Sequence, residues 1–498
     1  MLRLTLIVLA LAVAGSAMAA SYVVEPDGSG DFPTIQAALD AAVNGDVVLL
    51  GDGVFTGDGN RDLSYGGKEI AVISVSGDPA LCTIDCQGSS AEPHRAIGFN
   101  GEGSGARFEA VTVIGGYAPG SGYTANGGAI GITAGSPTII GCVFQQCQAN
   151  WAGGAIAFSN ATPGIFGCDF IDNLANWGGA AILGSVSDAV IEDCRFVGNT
   201  ASSWGGALCT YYPAGGEVRR CTFDGNRSYN TGGAVKVSGT GWTGFYECVF
   251  IGNTADNTGG AFQASEAVVD MERCSFHHNA SPDGAGLRFV AGGGIHLSHT
   301  IVCACDGTSV SAMADAGVIE FTCSDVFGNT GGDWVGPIEG QLGVEGNFSL
   351  DPLFCDPEAG DLRIDADSPC LPHHHPDGPW TCGSGIIGAL PVGCSPADSP
   401  LSEEVAAPFA LQGATPNPFG DTTVLTFRLS QEGSVSLEIF DAGGRSIRHL
   451  LREPLAAGAH TSTWDGRDDG GRHVESGIYF AKMSVDDRHL EQRIVVLR

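Results

Sequence analysis

The groups with which this 498-residue chain could do chemistry are 17 cysteines, 12 histidines, 7 tryptophans and 56 carboxylates, against only 23 Lys and Arg. Thiols pair or hold soft metals, carboxylates supply acid–base chemistry or bind Ca2+, and indoles offer an apolar face with one N–H donor. Placement narrows these options. His277-His278 takes the place of two turn residues in a repeat, where a solvated turn is the reading preferred over a base or a metal ligand. His373-His374-His375 lies in a Pro-rich loop near Cys370, and three consecutive residues cannot all face one ion. Asp468-Asp469 and Asp486-Asp487 sit near the C-terminus, where turns account for them. No metal site is expected and no catalytic residue is assigned.

The cysteines are best read through their spacing. Cys142, Cys168, Cys194, Cys221, Cys248 and Cys274 stand 26, 26, 27, 27 and 26 residues apart, each followed two residues later by Phe. Five of the six add an Asn: Asn173, Asn199, Asn226, Asn253 and Asn279; the first has Cys147 there. Between them recurs a second motif: Gly127-Gly128-Ala129, Gly153-Gly154-Ala155, Gly178-Gly179-Ala180, Gly205-Gly206-Ala207, Gly232-Gly233-Ala234 and Gly259-Gly260-Ala261. A fixed period in the twenties means a solenoid. Cys and Phe alternate as in a strand, and the residue three before each Cys is always apolar: Ile139, Ile165, Ile191, Val218, Phe245, Met271. The two residues between break the alternation and predict a corner; the Gly pairs predict another. The fold expected is all-β, a right-handed parallel β-helix whose equivalent residues stack about 4.8 Å apart. Interior Cys then reads as packing, with metal or disulfide as the alternative. The residues before the last four cysteines, Asp193, Arg220, Glu247 and Arg273, alternate in charge, as expected for ion pairs between stacked coils. Disulfide candidates lie outside the ladder, first among them Cys355, Cys370, Cys382 and Cys394, with connectivity left open.

Trp151, Trp177 and Trp204 follow their repeat cysteines by 9, 9 and 10 residues and precede the Gly pairs. They predict an exposed aromatic column for sugar rings, with Asn150 and Asn176 as hydrogen-bonding neighbours; the competing reading is that the rings shield the coil beneath.

Met1 to Ala19 reads as a signal peptide, with Arg3, an apolar run too short to span a bilayer, and Ala17-Met18-Ala19 for cleavage. Residues 20–394 are assigned to the solenoid, opened by a cap helix from Thr34 to Val43 and a first strand from Asp46 to Leu50. Residues 395–408 form a linker, and 409–498 a small Ig-like β-sandwich with strands near Thr423–Leu429, Ser434–Phe440, His460–Trp464, Ile478–Val485 and Gln492–Leu497. From Ala20 to Val405 there are 12 basic and 44 acidic residues. Such a surface repels nucleic acid and acidic polysaccharides unless Ca2+ bridges; weak Ca2+ binding is one reading of the acidity, and no other cofactor is expected.

Three resemblances follow from quoted motifs. Asp27-Gly28-Ser29-Gly30-Asp31-Phe32-Pro33 and the cap helix resemble the start of pectinesterases and other pectin-lyase-like β-helix proteins. The Gly-Gly-Ala and Phe-x-x-Asn repeats, from Gly127 to Asn279, resemble those of polymorphic outer-membrane proteins. Pro416-Asn417-Pro418-Phe419, Trp464-Asp465-Gly466 and Ser476-Gly477-Ile478-Tyr479 resemble both the C-terminal sorting domain of type IX secretion cargo and the Ig-like domain of the flagellar hook-capping protein. The first resemblance implies an alternative function, a polysaccharide lyase or hydrolase. Asp169-Phe170-Ile171 resembles a pectinesterase motif but falls on the repeat, and the motif set of polygalacturonases is missing. The preferred expectation is therefore a secreted or outer-membrane-attached, monomeric, non-catalytic protein. Its partners would be an extracellular glycan or cell surface and the secretion machinery.

Overall fold

Alternating apolar residues, a left-handed corner and a return after about 26 residues close the chain into stacked coils. The computed structural model describes residues 19–394, except 121–126, 187 and 213–214. It also describes 409–496, except 416–418, 420–421, 430–432, 442–443, 457, 475 and 486–487. The expected signal peptide (but for Ala19), the linker and Pro416-Asn417-Pro418 lie outside the described residues.

The coil opening at Gly153 shows the plan. Ile156–Ser159 belongs to sheet 1, Gly164–Phe166 to sheet 2, Asp169–Ile171 to sheet 3, and Leu174–Ala175 to a short fourth sheet. Each strand pairs in parallel with its equivalents one coil away, giving ten, twelve, eleven and six strands respectively among the described residues. Phe144, Phe170, Phe196, Phe223, Phe250 and Phe276 are in direct register. Their rings stack at centroid separations of 4.5 to 5.2 Å in the buried centre. The expected parallel β-helix is thus the observed one.

The corner between sheets 2 and 3 is left-handed in every repeat: Gly141, Gly167, Asp193, Arg220, Glu247 and Arg273 have φ from 48° to 59°. A non-Gly residue there costs about 1–2 kcal/mol. The alternating charges form stacked ion pairs, Arg220 to Asp193 at 2.7 Å and Arg273 to Glu247 at 2.6 Å. At the other corner Gly127, Gly153, Gly179, Gly205, Gly232 and Gly259 are also left-handed. The structure corrects one alignment here. Gly179, not Gly178, is equivalent to Gly153 and Gly205, so Ala180 occupies the second-Gly place in that coil.

Two ladders satisfy the corners. Asn199 Nδ2 donates to Phe170 O and Asn226 Oδ1, both at 2.9 Å, and Asn173 N donates to Asn199 Oδ1 at 3.0 Å. The same pattern repeats from Asn173 to Asn279. The cysteine ladder does more than pack. Cys168 Sγ accepts from Cys142 N and donates to Phe166 O, each at 3.4 Å. In later coils Thr300 and Ser324 take this place with hydroxyl groups: Cys274 N donates to Thr300 Oγ1 and Thr300 N to Ser324 Oγ.

At the N-terminus, Ser21–Val24 is the first strand, pairing with Val47–Leu50. The cap helix is Ile35–Ala41, shorter than expected: Thr34 Oγ1 caps Ala37 N, Ala42 is already extended, and Val43 is exposed. It buries Ile35, Ala38 and Leu39 over the first coil. The C-terminal module consists of a three-stranded and a four-stranded antiparallel sheet around Leu425, Phe427, Leu437, Ile439, Trp464, Ala481 and Met483. Two strands the sequence reading lacked, Phe409–Thr415 and Ser446–Leu455, complete it. Val495 and Phe480 of this module pack on Val47, Leu49 and Ile73, outward residues of sheet 2 in the first coils.

Candidate functional site

The corner between the short sheet and sheet 1 gathers the sugar-binding candidates. Trp151 and Trp177 occupy equivalent positions, with ring centroids 5.3 Å apart and planes 11° from parallel. Trp204 stands one position further along its coil, in register with Gly178 and Ala152, and Ser203 takes the place equivalent to Trp177. The Trp204 ring is consequently tilted 45° to Trp177, at 4.5 Å. The expectation of an exposed column needs correction. All three indoles are half-buried and lie over Ala152, Ala157, Leu183 and Cys209 on the outer side of sheet 1. Their faces meet one another, so the stack offers mainly ring edges to solvent. The Trp151 indole N–H is buried without a partner.

Alongside runs an exposed polar strip. Asn176 Nδ2 donates to Asn150 Oδ1 at 3.1 Å, and Asn150 Nδ2 to Pro119 O at 3.3 Å. Ser202 and Tyr229 continue the position, held by backbone bonds to Ala175 and Ala201. Tyr229 is half exposed, with the Arg227 guanidinium 4.7 Å from its ring centroid.

Where the indoles end, a cation begins. Ala157, Leu183, Cys209, Lys236 and Gln263 are in register on the outer side of sheet 1. Lys236 is buried, its Nζ donating to Ser265 Oγ at 2.5 Å and lying 5.7 Å from the Trp204 ring centroid. Burial lowers its pKa to about 8. Arg288 two coils on pairs with Asp283 at 3.1 Å. Sequence reasoning missed Lys236; the signal available was its offset from the Gly pair.

The second site is a cavity of about 500 Å³ between the outer side of sheet 3 and the segment that closes the last coils. His277 and Cys303, in register on neighbouring strands, form its floor. His277 therefore ends a strand; only His278, at φ 50°, is a turn residue. His277 Nδ1 lies 3.3 Å from Cys303 Sγ, and its buried Nε2 has no partner. Burial lowers the His277 pKa to about 4 and raises that of the Cys303 thiol. The imidazole is thus neutral and the sulfur protonated at neutral pH.

Disulfides fasten the closing segment: Cys355 to Cys394, which lines the cavity, and Cys382 to Cys323. Cys370, expected as a disulfide candidate, is a free buried thiol 3.7 Å from Asp325 Oδ2, because no other cysteine reaches it. Burial raises the pKa of Asp325 well above the carboxylate range. The histidine triplet is split: His375 is buried with Nε2 3.0 Å from Gly346 O, while His373 stands edge-on to Trp380. Asp169, in the pectinesterase-like stretch, pairs with Arg195 at 3.5 Å. Among the described residues no three His, Cys, Asp or Glu side chains converge as a metal site.

Comparison with known proteins agrees on the architecture. The family described as right handed beta helix region matches residues 101–250, and the FlgD Ig-like domain family matches 413–488. No curated protein matches the chain. Among solved structures, the pectate lyase Pel9A is 12% identical over 76% of this chain and 97% of its own, with a TM-score of 0.43. The periplasmic alginate epimerase AlgG is 14% identical over 61% and 75%, with a TM-score of 0.38. The 9NA siphovirus tailspike receptor binding domain is 10% identical over 95% and 98%, with a TM-score of 0.19.

Proposed function

We propose that this is an exported, non-catalytic β-helix that binds an extended extracellular glycan along the corner of its indole stack. The observation that carries the reading is the strip of Asn150, Asn176, Ser202 and Tyr229 beside Trp151, Trp177 and Trp204. Four positions at about 4.8 Å per coil span roughly 14 Å, enough for several sugar residues in line. Exposed amides and hydroxyls recognise sugar hydroxyls, while indole edges and the Tyr229 ring contact the C–H surfaces. The surplus of carboxylates favours a glycan that is not itself acidic. Export rests on the signal-like N-terminus, and the C-terminal module is assigned the sorting role of type IX cargo domains that its motifs resemble.

The test replaces Trp151, Trp177 and Trp204 together by Ala and, separately, Asn150 and Asn176 by Asp. Melting and retention on immobilised neutral polysaccharides are measured, with and without Ca2+. Lost retention in the Asn variant at unchanged melting supports the strip. Retention unaffected by both variants refutes it, and new reducing ends or unsaturated products in the same incubations refute the non-catalytic assignment.

A further inference from the structure

The cavity over His277 and Cys303 has no part in the strip. It is built from elements far apart in sequence: two strands of sheet 3 as floor, the segment around Asp351 and Phe354 as wall, and the Cys355–Cys394 disulfide as a fastening. Its volume of about 500 Å³ falls in the range of small-molecule sites, roughly 300–1,000 Å³. Two features define what would fit. The walls include Phe327, Leu353 and Phe354, so part of the occupant is apolar. Asp351 and Asp365 also line it, each with one carboxylate oxygen held by a local turn: Asp351 Oδ1 accepts from Leu353 N at 2.9 Å, and Asp365 Oδ1 from Asp367 N at 2.8 Å. The second oxygens remain as acceptors. The His277 imidazole closes the floor, with the Phe354 ring edge-on to it at 5.5 Å and its Nε2 sealed from the cavity.

Among the described residues no Lys or Arg lines the cavity, so its charge is negative and an anionic occupant is disfavoured. We infer that this cavity binds one hexose unit that carries no carboxylate, a neutral or amino sugar. Its hydroxyl or ammonium hydrogens would be donated to Asp351 and Asp365, and its C–H face would lie on Phe354. The inference deepens the glycan-binding reading: the strip holds the chain, and the cavity a separate single residue.

The experiment titrates the full chain with glucosamine, glucose and galacturonate by calorimetry at one pH and ionic strength. Glucosamine and glucose are expected to bind and galacturonate not to. The double variant Asp351→Asn with Asp365→Asn should weaken glucosamine binding at least roughly tenfold, since charge-assisted hydrogen bonds are lost. Phe354→Ala should weaken all sugars. The indole variant should bind monosaccharides as the parent does, so failure of the strip and failure of the cavity give different results. Both aspartates lie outside the Cys and Asn ladders; circular dichroism establishes that the Asn variant is folded. Galacturonate binding as tight as glucosamine, absence of any sugar binding, or binding unchanged in the folded double Asn variant each overturns the inference.

Discussion

Replacing Lys236 by Met should make the protein more stable at neutral pH, against the intuition that a buried hydrogen-bonded cation holds a fold together. Lys236 is only 3% exposed, and its pKa is lowered from 10.5 to about 8, first by desolvation. A depression of about 2.5 units corresponds to roughly 3 kcal/mol of cost to the folded state at pH 7, at 1.36 kcal/mol per unit. The hydrogen bond to Ser265 Oγ, worth about 1 kcal/mol, is lost on substitution. Met matches the stem and fills the same space under Trp204. The net expectation is a gain of about 1–3 kcal/mol at pH 7. The sign with pH is defined. Between pH 8 and 10.5 the unfolded chain binds more protons than the folded one, so the Lys236 contribution to stability rises with pH over that window. The parent should therefore approach the variant as pH increases from 7 to 9.5. Urea midpoints of both proteins at the two pH values measure this, and taking the difference cancels other alkaline titrations. A variant less stable than the parent at pH 7, or a difference that does not shrink at pH 9.5, would show that Lys236 is solvated and that the indoles do not cover it.

Three further outcomes are expected. Asn226→Ala removes the acceptor for Asn199 N and Nδ2 and the donor to Phe196 O in a dry corner, and should cost about 3–5 kcal/mol by urea unfolding; a loss under about 1 kcal/mol would mean water replaces the ladder. Alkylation of the native protein should leave Cys142, Cys168, Cys194, Cys221, Cys248 and Cys274 unlabelled, while digestion returns Cys323–Cys382 and Cys355–Cys394 as linked peptides; rapid native labelling of the six would contradict their burial. A chain ending at Cys394 should keep its β-helix but melt lower and self-associate, since Val47, Leu49 and Ile73 lose their cover from Val495 and Phe480; unchanged melting and a monodisperse species would show that this contact does not contribute.

What could be read from the sequence was what repeats. Cys, Phe and Asn recur because each occupies one coil position, and stacking turns a period into a ladder. The same logic hid other features. Cys, Thr300 and Ser324 look unlike in sequence, yet each presents a small side-chain atom that accepts from the N–H one coil before. Reading the thiols as filler therefore missed the hydrogen bond that makes Cys and hydroxyl residues equivalent there. The Gly pair at Gly178-Gly179 was misaligned by one because composition cannot choose between adjacent glycines; φ of 60° at Gly179, where a Cβ would meet Ile182 O at 2.3 Å, makes the choice. Ser446–Leu455 escaped because it mixes exposed and half-buried residues without strict alternation.

The cavity was illegible for a different reason. His277 follows Ile171, Val197, Asp224 and Ile251 in register, an outward position that is solvated or half-buried in the earlier coils. Nothing local distinguishes it. It becomes buried because Phe354 and the Cys355–Cys394 linkage return over it from about 80 residues downstream. A repeat specifies its own interior coil by coil; it says nothing about which coil a non-repeating segment will cover. In a solenoid the interior is therefore read from period, whereas a pocket arises where the period is interrupted. The last coils, where Cys305 replaces Asn in the ladder and a disulfide-bound segment lies across sheet 3, are where that interruption occurs.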